Sequence, residues 1–506
     1  IPRNMALTTS GWRKCLPFFE SNLFKDVQNA ALFQDSKTFA DAIVLSDWQT
    51  VINEYELQKC NEDFSLSSFV GTHFQMPDMV ASSTNFTFSA VPDYVQHMWD
   101  VLTRTPDAEN IDSLISLSRP YIVPGGRFRE IYYWDSYFTA LGLIDSGKAN
   151  MAVNMLENFL DILDEVGCIP NGNRAYYYTR SQPPVLALMF ALVEKKLTNT
   201  QRQRAIAGIE KEYAFWMNGA NNLSSAQAVS HACDHLVRMP NGALLNRYYD
   251  SEASPRPESY REDIETAELV GAKSVEFYRH IRAACESGWD FSSRWLADES
   301  ALCSIRTTEI VPIDLNALLY FVESTLARVS TKASKYREAA VNRKQAINTY
   351  LWNEDKACFY DYHYPSNTQT TVLSAAATVP LFVELATDAQ AVGVNVALQT
   401  HLLAPGGIVT TANTTTQQWD SPNGWAPLQW FAVKGLLNYG FSDEASDIIN
   451  RFTQTIEDHF ARTGVMLEKY NVCEPDKTAS GGEYEVQLGF GWTNGVYTRF
   501  KTMQGE

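Results

Sequence analysis

Residues 124–138 read PGGRFREIYYWDSYF. Glycines, two arginines, a series of aromatics and two carboxylates share this one run. Aromatic faces cover the apolar C–H faces of a sugar. Guanidinium and carboxylate groups bond the hydroxyls that rim it. Residues 418–427, QWDSPNGWAP, repeat the mixture. Outward from these strings the chain reads as helices. Residues 151–166 carry a stripe at Met151, Met155, Phe159, Ile162 and Leu163, stopped by Gly167. Thr200 and Gln203 form a capping box predicted to open a helix over 201–217. Helical patterns also cover 185–197, 315–329, 335–351, 373–386, 426–438 and 443–461, and strand-like alternation is scarce. The string GFGWTNG at 489–495 misses the spacing of a dinucleotide loop by one and follows no strand, so it is set aside. Pattern alone gives a large all-α protein of helices packed on helices, with long aromatic loops suited to hold a site.

Composition narrows the partners. The 506 residues are 45% hydrophobic and 12% aromatic, enough for a large core. Lys and Arg number 41 against 59 Asp and Glu, a net charge of −18, which excludes nucleic acid as a partner and disfavours anionic membrane. No apolar stretch reaches the roughly 20 residues that span a bilayer, so no membrane insertion is expected. The eight cysteines stand singly, without C-x-x-C pairs, and read as mostly buried thiols. With no H-E-x-x-H and no paired cysteines, no metal is expected, and no G-x-S-x-G elbow is present. The triplets at Asn85, Asn222 and Asn413 fit the glycosylation pattern. The chain opens Ile1-Pro2-Arg3-Asn4, without Met and without an apolar leader, which points to an upstream segment removed.

The two signature strings, in this order and with the blocks between them, resemble the inverting glycoside hydrolase family of trehalases. The resemblance spans most of the chain, from D-x-K-T-F-x-D at 35–41 to the block ending at 496. It implies an (α/α)6 barrel over residues 118–506, with long loops forming a substrate pocket at one end. Residues 1–117 would be an N-terminal extension packed on it. It implies hydrolysis of the α,α-1,1 bond of trehalose to two glucoses with inversion, without a cofactor, by a monomer. A periplasmic or secreted location is expected because no acidic extension precedes the 35–41 string; a cytoplasmic one is the alternative.

Cleaving a glycosidic bond takes a protonated carboxyl on the leaving oxygen and an ionised one to activate water. Asp290 lies between Trp289 and Phe291 in GWDFSSRW. Those rings would desolvate it and keep its proton on, as a general acid needs, and the family's acid occupies this context. The resemblance gives the base role to Glu468 in L-E-K-Y, with Glu483 and then Asp135 as alternatives. Inversion would set the pair roughly 6.5–9.5 Å apart, with room for water. The substrate clamp implied by the family strings comprises Arg127, Trp134, Asp135, Asn171, Arg180, Ser181, Gln182, Arg256, Pro257, Glu258, Gly288, Trp419 and Glu483, with Asn173, Asp420 and Trp425 beside them. Gly288 would admit substrate close to its backbone. Two departures fall in one loop: Ala479-Ser480 replace part of a glycine run, and 485–491 read EVQLGFG. That loop is expected to close over substrate. A related glycosidase or phosphorylase on another glucoside, or a non-catalytic trehalose-binding protein, are the other readings.

Overall fold

A computed structural model describes residues 11–78, 87–106, 112–224, 231–271, 274–479 and 481–505. The triplet at Asn85 and Ser480 of the closing loop lie outside the described residues. Two classes of helix follow from two kinds of sequence. Tyr133–Asp145, Leu186–Val193, Ile313–Val329, Val379–Phe382, Ala426–Asn438 and Gly491–Gln504 are buried on most sides. Each packs on the next, and the last returns to the first, closing an inner ring of six. Ala149–Val166, Asn199–Trp216, Ala333–Tyr350 and Ser442–Thr463 bury a single stripe and pack outside that ring. Asp388–Ala397 packs on the strand Cys358–Phe359, and Val91–Val101 packs against Gly491–Gln504. Alternation of inner and outer helices along the chain makes an (α/α)6 barrel.

The ring closes where Tyr133–Asp145 meets Gly491–Gln504, and glycines permit it. A Cβ on Gly142 would lie 2.6 Å from the Cα of Gly495, and one on Gly495 would lie 2.2 Å from the Phe138 carbonyl oxygen. Neither position has room for a side chain. Val91, Tyr94, Met98 and Trp99 belong to the barrel's core. A second core gathers Phe18, Phe24, Phe39 and Trp48 from N-terminal helices and Phe74 from the strand Phe74–Gln75, and meets the barrel at Tyr132, Tyr176 and Tyr177.

Several boundaries differ from the sequence reading. The helix expected at 201–217 is Asn199–Trp216, and its capping box is Thr198 with Gln201. Two T-x-x-Q pairs stand two residues apart, and the earlier one lets Arg202 reach back to Glu194 at 3.0 Å. The pattern over 373–386 is two short pieces, Ala375–Thr378 and Val379–Phe382. Pro380, in the first turn of the second piece, has no N–H for a continuous ladder and restarts the helix. The glycine-rich string at 489–495 opens the last inner helix. Of the cysteines, Cys15, Cys168, Cys285 and Cys358 are buried, Cys60 is exposed, and all eight are free. Among the described residues no helix is long and apolar enough to cross a membrane.

Candidate active site

The segments entering the inner helices meet around one cavity. Trp134 and Asp135 stand in the first turn of Tyr133–Asp145. Asp290 follows the helix Ser274–Ser287 after Gly288 and Trp289. Glu468 precedes the strand Lys469–Asn471, which pairs antiparallel with Asn423–Trp425. That register joins the second signature string to the L-E-K-Y string. Asp290, Glu468 and Asp135 all line the cavity, as do Arg127, Arg180, Arg256 and Glu258. Trp134, Asn171, Gln182, Gly288, Trp419, Trp425 and Glu483 complete the predicted residues on its wall.

Burial dominates the titration of the three inner carboxyls. It raises Asp290 to about 7, against the opposing pull of Arg256 and with the support of Glu483. It raises Glu468 to about 7, offset by Lys469 and by the Gln487 N–H, which donates to Oε1 at 3.1 Å. It pushes Asp135 well above the usual carboxylate range, and the neighbouring Glu468 and Asp290 add to that. The site can therefore hold a proton and a carboxylate side by side near neutral pH.

The arginines are held by fixed partners. Arg180, fully buried, donates through Nε to Asn171 Oδ1 at 2.8 Å and through Nη2 to Glu258 Oε1, and lies 5.1 Å from the centre of the Tyr177 ring. Arg256 pairs with Asp263 at 2.6 Å and with Glu483 at 3.1 Å, and its Nη1 donates to Cys285 Sγ at 3.2 Å. Arg127 stacks 4.8 Å over the Tyr484 ring, with its Nε unpartnered. The indoles form a stack: Trp419 lies 3.9 Å from Trp425, nearly parallel, and 5.6 Å from Trp289.

Some predicted residues act from behind the wall. Ser181 donates its hydroxyl to the Ile169 carbonyl at 2.6 Å and its N–H to Glu286 at 2.9 Å. Pro257 starts the turn that presents Glu258. Asn173 bonds Ile131 and Ile115 in the backbone beneath. Asp420 is wholly buried and accepts from Ser292, Ser293, Thr411 and Thr415, stapling the Asp290 segment to the 411–420 loop. Gly288 is required by a protein group: at φ +75°, a Cβ there would lie 2.8 Å from the Trp134 indole. Sequence reasoning did not assign Lys37, Phe128, Tyr132, Tyr177, Tyr484, Phe490 and Trp492, all of which line the cavity. Phe128, Tyr132, Tyr484, Phe490 and Trp492 lie within or beside a quoted string whose aromatic richness was the signal; Lys37 lies in the 35–41 string, and Tyr177 falls between the predicted Asn173 and Arg180. Among the described residues no group of three or more His, Cys, Asp or Glu is placed to hold a metal ion.

A family model described as Trehalase matches residues 31–505. The periplasmic trehalase of Salmonella paratyphi A is 45% identical over 482 residues, 94% of this chain and 84% of that one. The solved neutral trehalase Nth1 from Saccharomyces cerevisiae is 28% identical with a TM-score of 0.62, over 76% of this chain and 73% of that one. The GH63 mannosylglycerate hydrolase from Thermus thermophilus, 14% identical with a TM-score of 0.52 over 81% of this chain and 100% of that one, shares the fold. With a match across nearly its whole length, the chain belongs to the trehalase family.

Proposed function

We propose that this chain hydrolyses α,α-trehalose to two glucoses with inversion, Asp290 acting as general acid and Glu468 as general base. One observation carries the assignment: two carboxyls from separate segments face a single cavity, and each is poised near neutrality by burial. Protonated Asp290 gives its proton to the glycosidic oxygen as the C1–O bond breaks. Ionised Glu468 takes a proton from the water that attacks C1 from the other face. The attacked glucose leaves as the β anomer and the other as the α anomer. Asp135, whose protonated form burial and the neighbouring Glu468 and Asp290 favour, would donate a hydrogen bond to a sugar hydroxyl when it carries the proton. Arg180 and Arg256 are already paired with carboxylates, which favours hydroxyl recognition over capture of inorganic phosphate.

We propose that the chain acts as a monomer; sedimentation tests this. The similar enzyme from Salmonella paratyphi A is named periplasmic, and we assign this chain to the same compartment. The deciding experiment follows anomeric protons by NMR from the first minutes, with trehalose in phosphate-free buffer. Equal initial α- and β-glucose is expected. Purely α-glucose would replace the water mechanism with a retaining one, and trehalose bound but intact would make the chain a sugar-binding protein.

A further inference from the structure

Behind the cavity wall lies a cation that the two-carboxylate scheme leaves without a task. Lys469 follows Glu468 directly and is fully buried. A buried ammonium is costly unless acceptors meet it. Its Nζ donates to Gln418 Oε1 at 2.7 Å and to the Gly481 carbonyl at 3.1 Å. It also lies 5.2 Å from the centre of the Trp425 ring and 5.8 Å from that of Tyr484. Gln418, itself buried, passes the contact on: its Nε2 donates to the Asp290 carbonyl at 2.6 Å. The amide is thereby fixed, oxygen toward the ammonium and nitrogen toward the acid's backbone. Gly482 rests on the same amide, where a Cβ would lie 2.8 Å from Gln418 Oε1. The Gln418 backbone carbonyl in turn accepts from Trp425 Nε1 at 3.1 Å and Asn423 Nδ2 at 3.0 Å. Three segments far apart in sequence converge on one ammonium–amide pair.

We propose that Lys469 and Gln418 are positioning residues that hold the Asp290 segment, the Glu468 strand and the 481–484 loop in fixed mutual register. The inference rests on the hydrolytic reading above. Its first consequence is geometric: the gap between acid and base must hold one water, and the pair sets that gap. The second is electrostatic. Glu468 faces Lys469, Arg127, Tyr484 and Asp135. Asp290 faces Arg256, Arg180, Glu483, Asp135, Tyr484 and Cys285, and Lys469 lies within reach of both carboxyls. Removing the ammonium leaves Glu468 with Arg127 as its cationic support, so it would ionise at a higher pH.

The test compares Lys469→Met, Lys469→Arg and Gln418→Met with the unaltered protein on trehalose across the neutral pH range. Lys469→Met is expected to lower kcat about 100-fold, the scale of a displacement of about 1 Å, with KM little changed. The acidic limb of its kcat/KM profile should move up by about one pH unit. Lys469→Arg should leave that limb in place. Gln418→Met should lower kcat while the limb stays put, because the ammonium remains. A Lys469→Met variant with unaltered kcat, an unshifted limb, or a change in KM alone overturns the proposal. If Lys469→Met fails to fold, an unaltered kcat in Gln418→Met overturns it instead. Absence of trehalose turnover by the unaltered protein would sink the hydrolytic reading separately. A ¹³C NMR titration of the Glu468 carboxyl in both proteins would then decide, an unshifted titration counting against the proposal.

Discussion

Asp290 and Glu468 reach about 7 for one shared reason, burial, yet the acid and base roles proposed for them need opposite states. Falling pH protonates Glu468 and removes its ability to accept a proton from water. Rising pH strips Asp290 of the proton it must donate. The expected kcat/KM profile is a bell centred near pH 7 with both limbs close to the maximum, its apparent constants belonging to the coupled carboxyls together. Asp290→Asn and Glu468→Gln should each lower turnover by about 10²–10⁴-fold, the range for one general acid or base. Neither should lower the melting temperature at pH 8, because an ionised carboxylate raised by burial opposes folding there. A pH–rate series with circular-dichroism melts checks both statements, and near-native turnover in either variant would reassign that role. Gly288 poses a different demand. Alanine there meets the Trp134 indole at 2.8 Å and a positive φ at once. Gly288→Ala should displace the indole, cut kcat/KM by about 10-fold or more and lower stability by about 1–3 kcal/mol. A melt indistinguishable from the native protein, with full activity, would show that the indole yields freely.

At the scale of the element, Tyr133 links three helices through one hydroxyl. It accepts from the N–H groups of Val185 and Leu186, at 3.0 and 2.7 Å, where the helix Leu186–Val193 begins. It donates to Glu212 on the outer helix Asn199–Trp216. Burial raises Glu212 from 4.5 to about 8, the Tyr133 bond offsetting part of it. Because the folded value lies above the unfolded one, the protonated carboxyl's support is complete below about 4.5 and is lost as pH climbs through about 8. Between pH 6 and 9 the melting temperature should fall, by the equivalent of a few kcal/mol. Glu212→Gln should lose less melting temperature over that span than the native protein, the remaining fall coming from Asp290 and Glu468; an equal loss in the variant would place the pH dependence elsewhere. Outer helices such as Ala149–Val166 were legible because a single buried stripe writes its period into the sequence. Four inner helices overlap the patterns read at 185–197, 315–329, 373–386 and 426–438, whereas Tyr133–Asp145 was read only as a sugar-binding string and Gly491–Gln504 was not read as a helix. The ladder joining Asn423–Trp425 to Lys469–Asn471 is too short to show alternation. The candidate site divides in the same way. Asp290 was legible because its chain neighbours Trp289 and Phe291 are aromatic, and the structure buries its carboxyl. Glu468 was legible only through family resemblance, because Gln487, Arg127 and Asp135 reach it from distant segments.

For the molecule as a whole, the segment before residue 118 reaches the cavity by a buried charge network. Lys37, in the helix Ser36–Ala40, lines the cavity and pairs with Asp41 at 2.6 Å and Glu130 at 2.7 Å. Asp41 also meets Arg129 at 3.0 Å and accepts from Tyr176 at 2.6 Å. Arg174 meets Glu130 at 3.1 Å, and Tyr132 donates to the same carboxylate. The network thus ties the N-terminal segment to the strings that supply Arg127, Tyr132 and Tyr177. Against the upward push of burial, Arg174, Lys37 and Arg129 hold Asp41 well below the usual carboxylate range. Its stabilising contribution is therefore present above the unfolded value of 3.8 and lost as pH falls. Lys37→Met keeps the bulk and removes the cation, leaving two buried carboxylates short of charge. Such a loss costs about 3–5 kcal/mol in comparable buried pairs. We expect a lower melting temperature at pH 7, acid unfolding that begins at a higher pH, and a raised KM for trehalose as the wall around Arg127 loosens. Thermal and acid titrations followed by tryptophan fluorescence, with initial rates on trehalose, read all three. If stability drops while KM holds, the network braces the N-terminal segment alone and the cavity wall stands without it. If stability is unchanged, the charges compensate one another without Lys37, and the N-terminal segment is held to the barrel by the aromatic core around Phe18, Phe39 and Tyr176 instead.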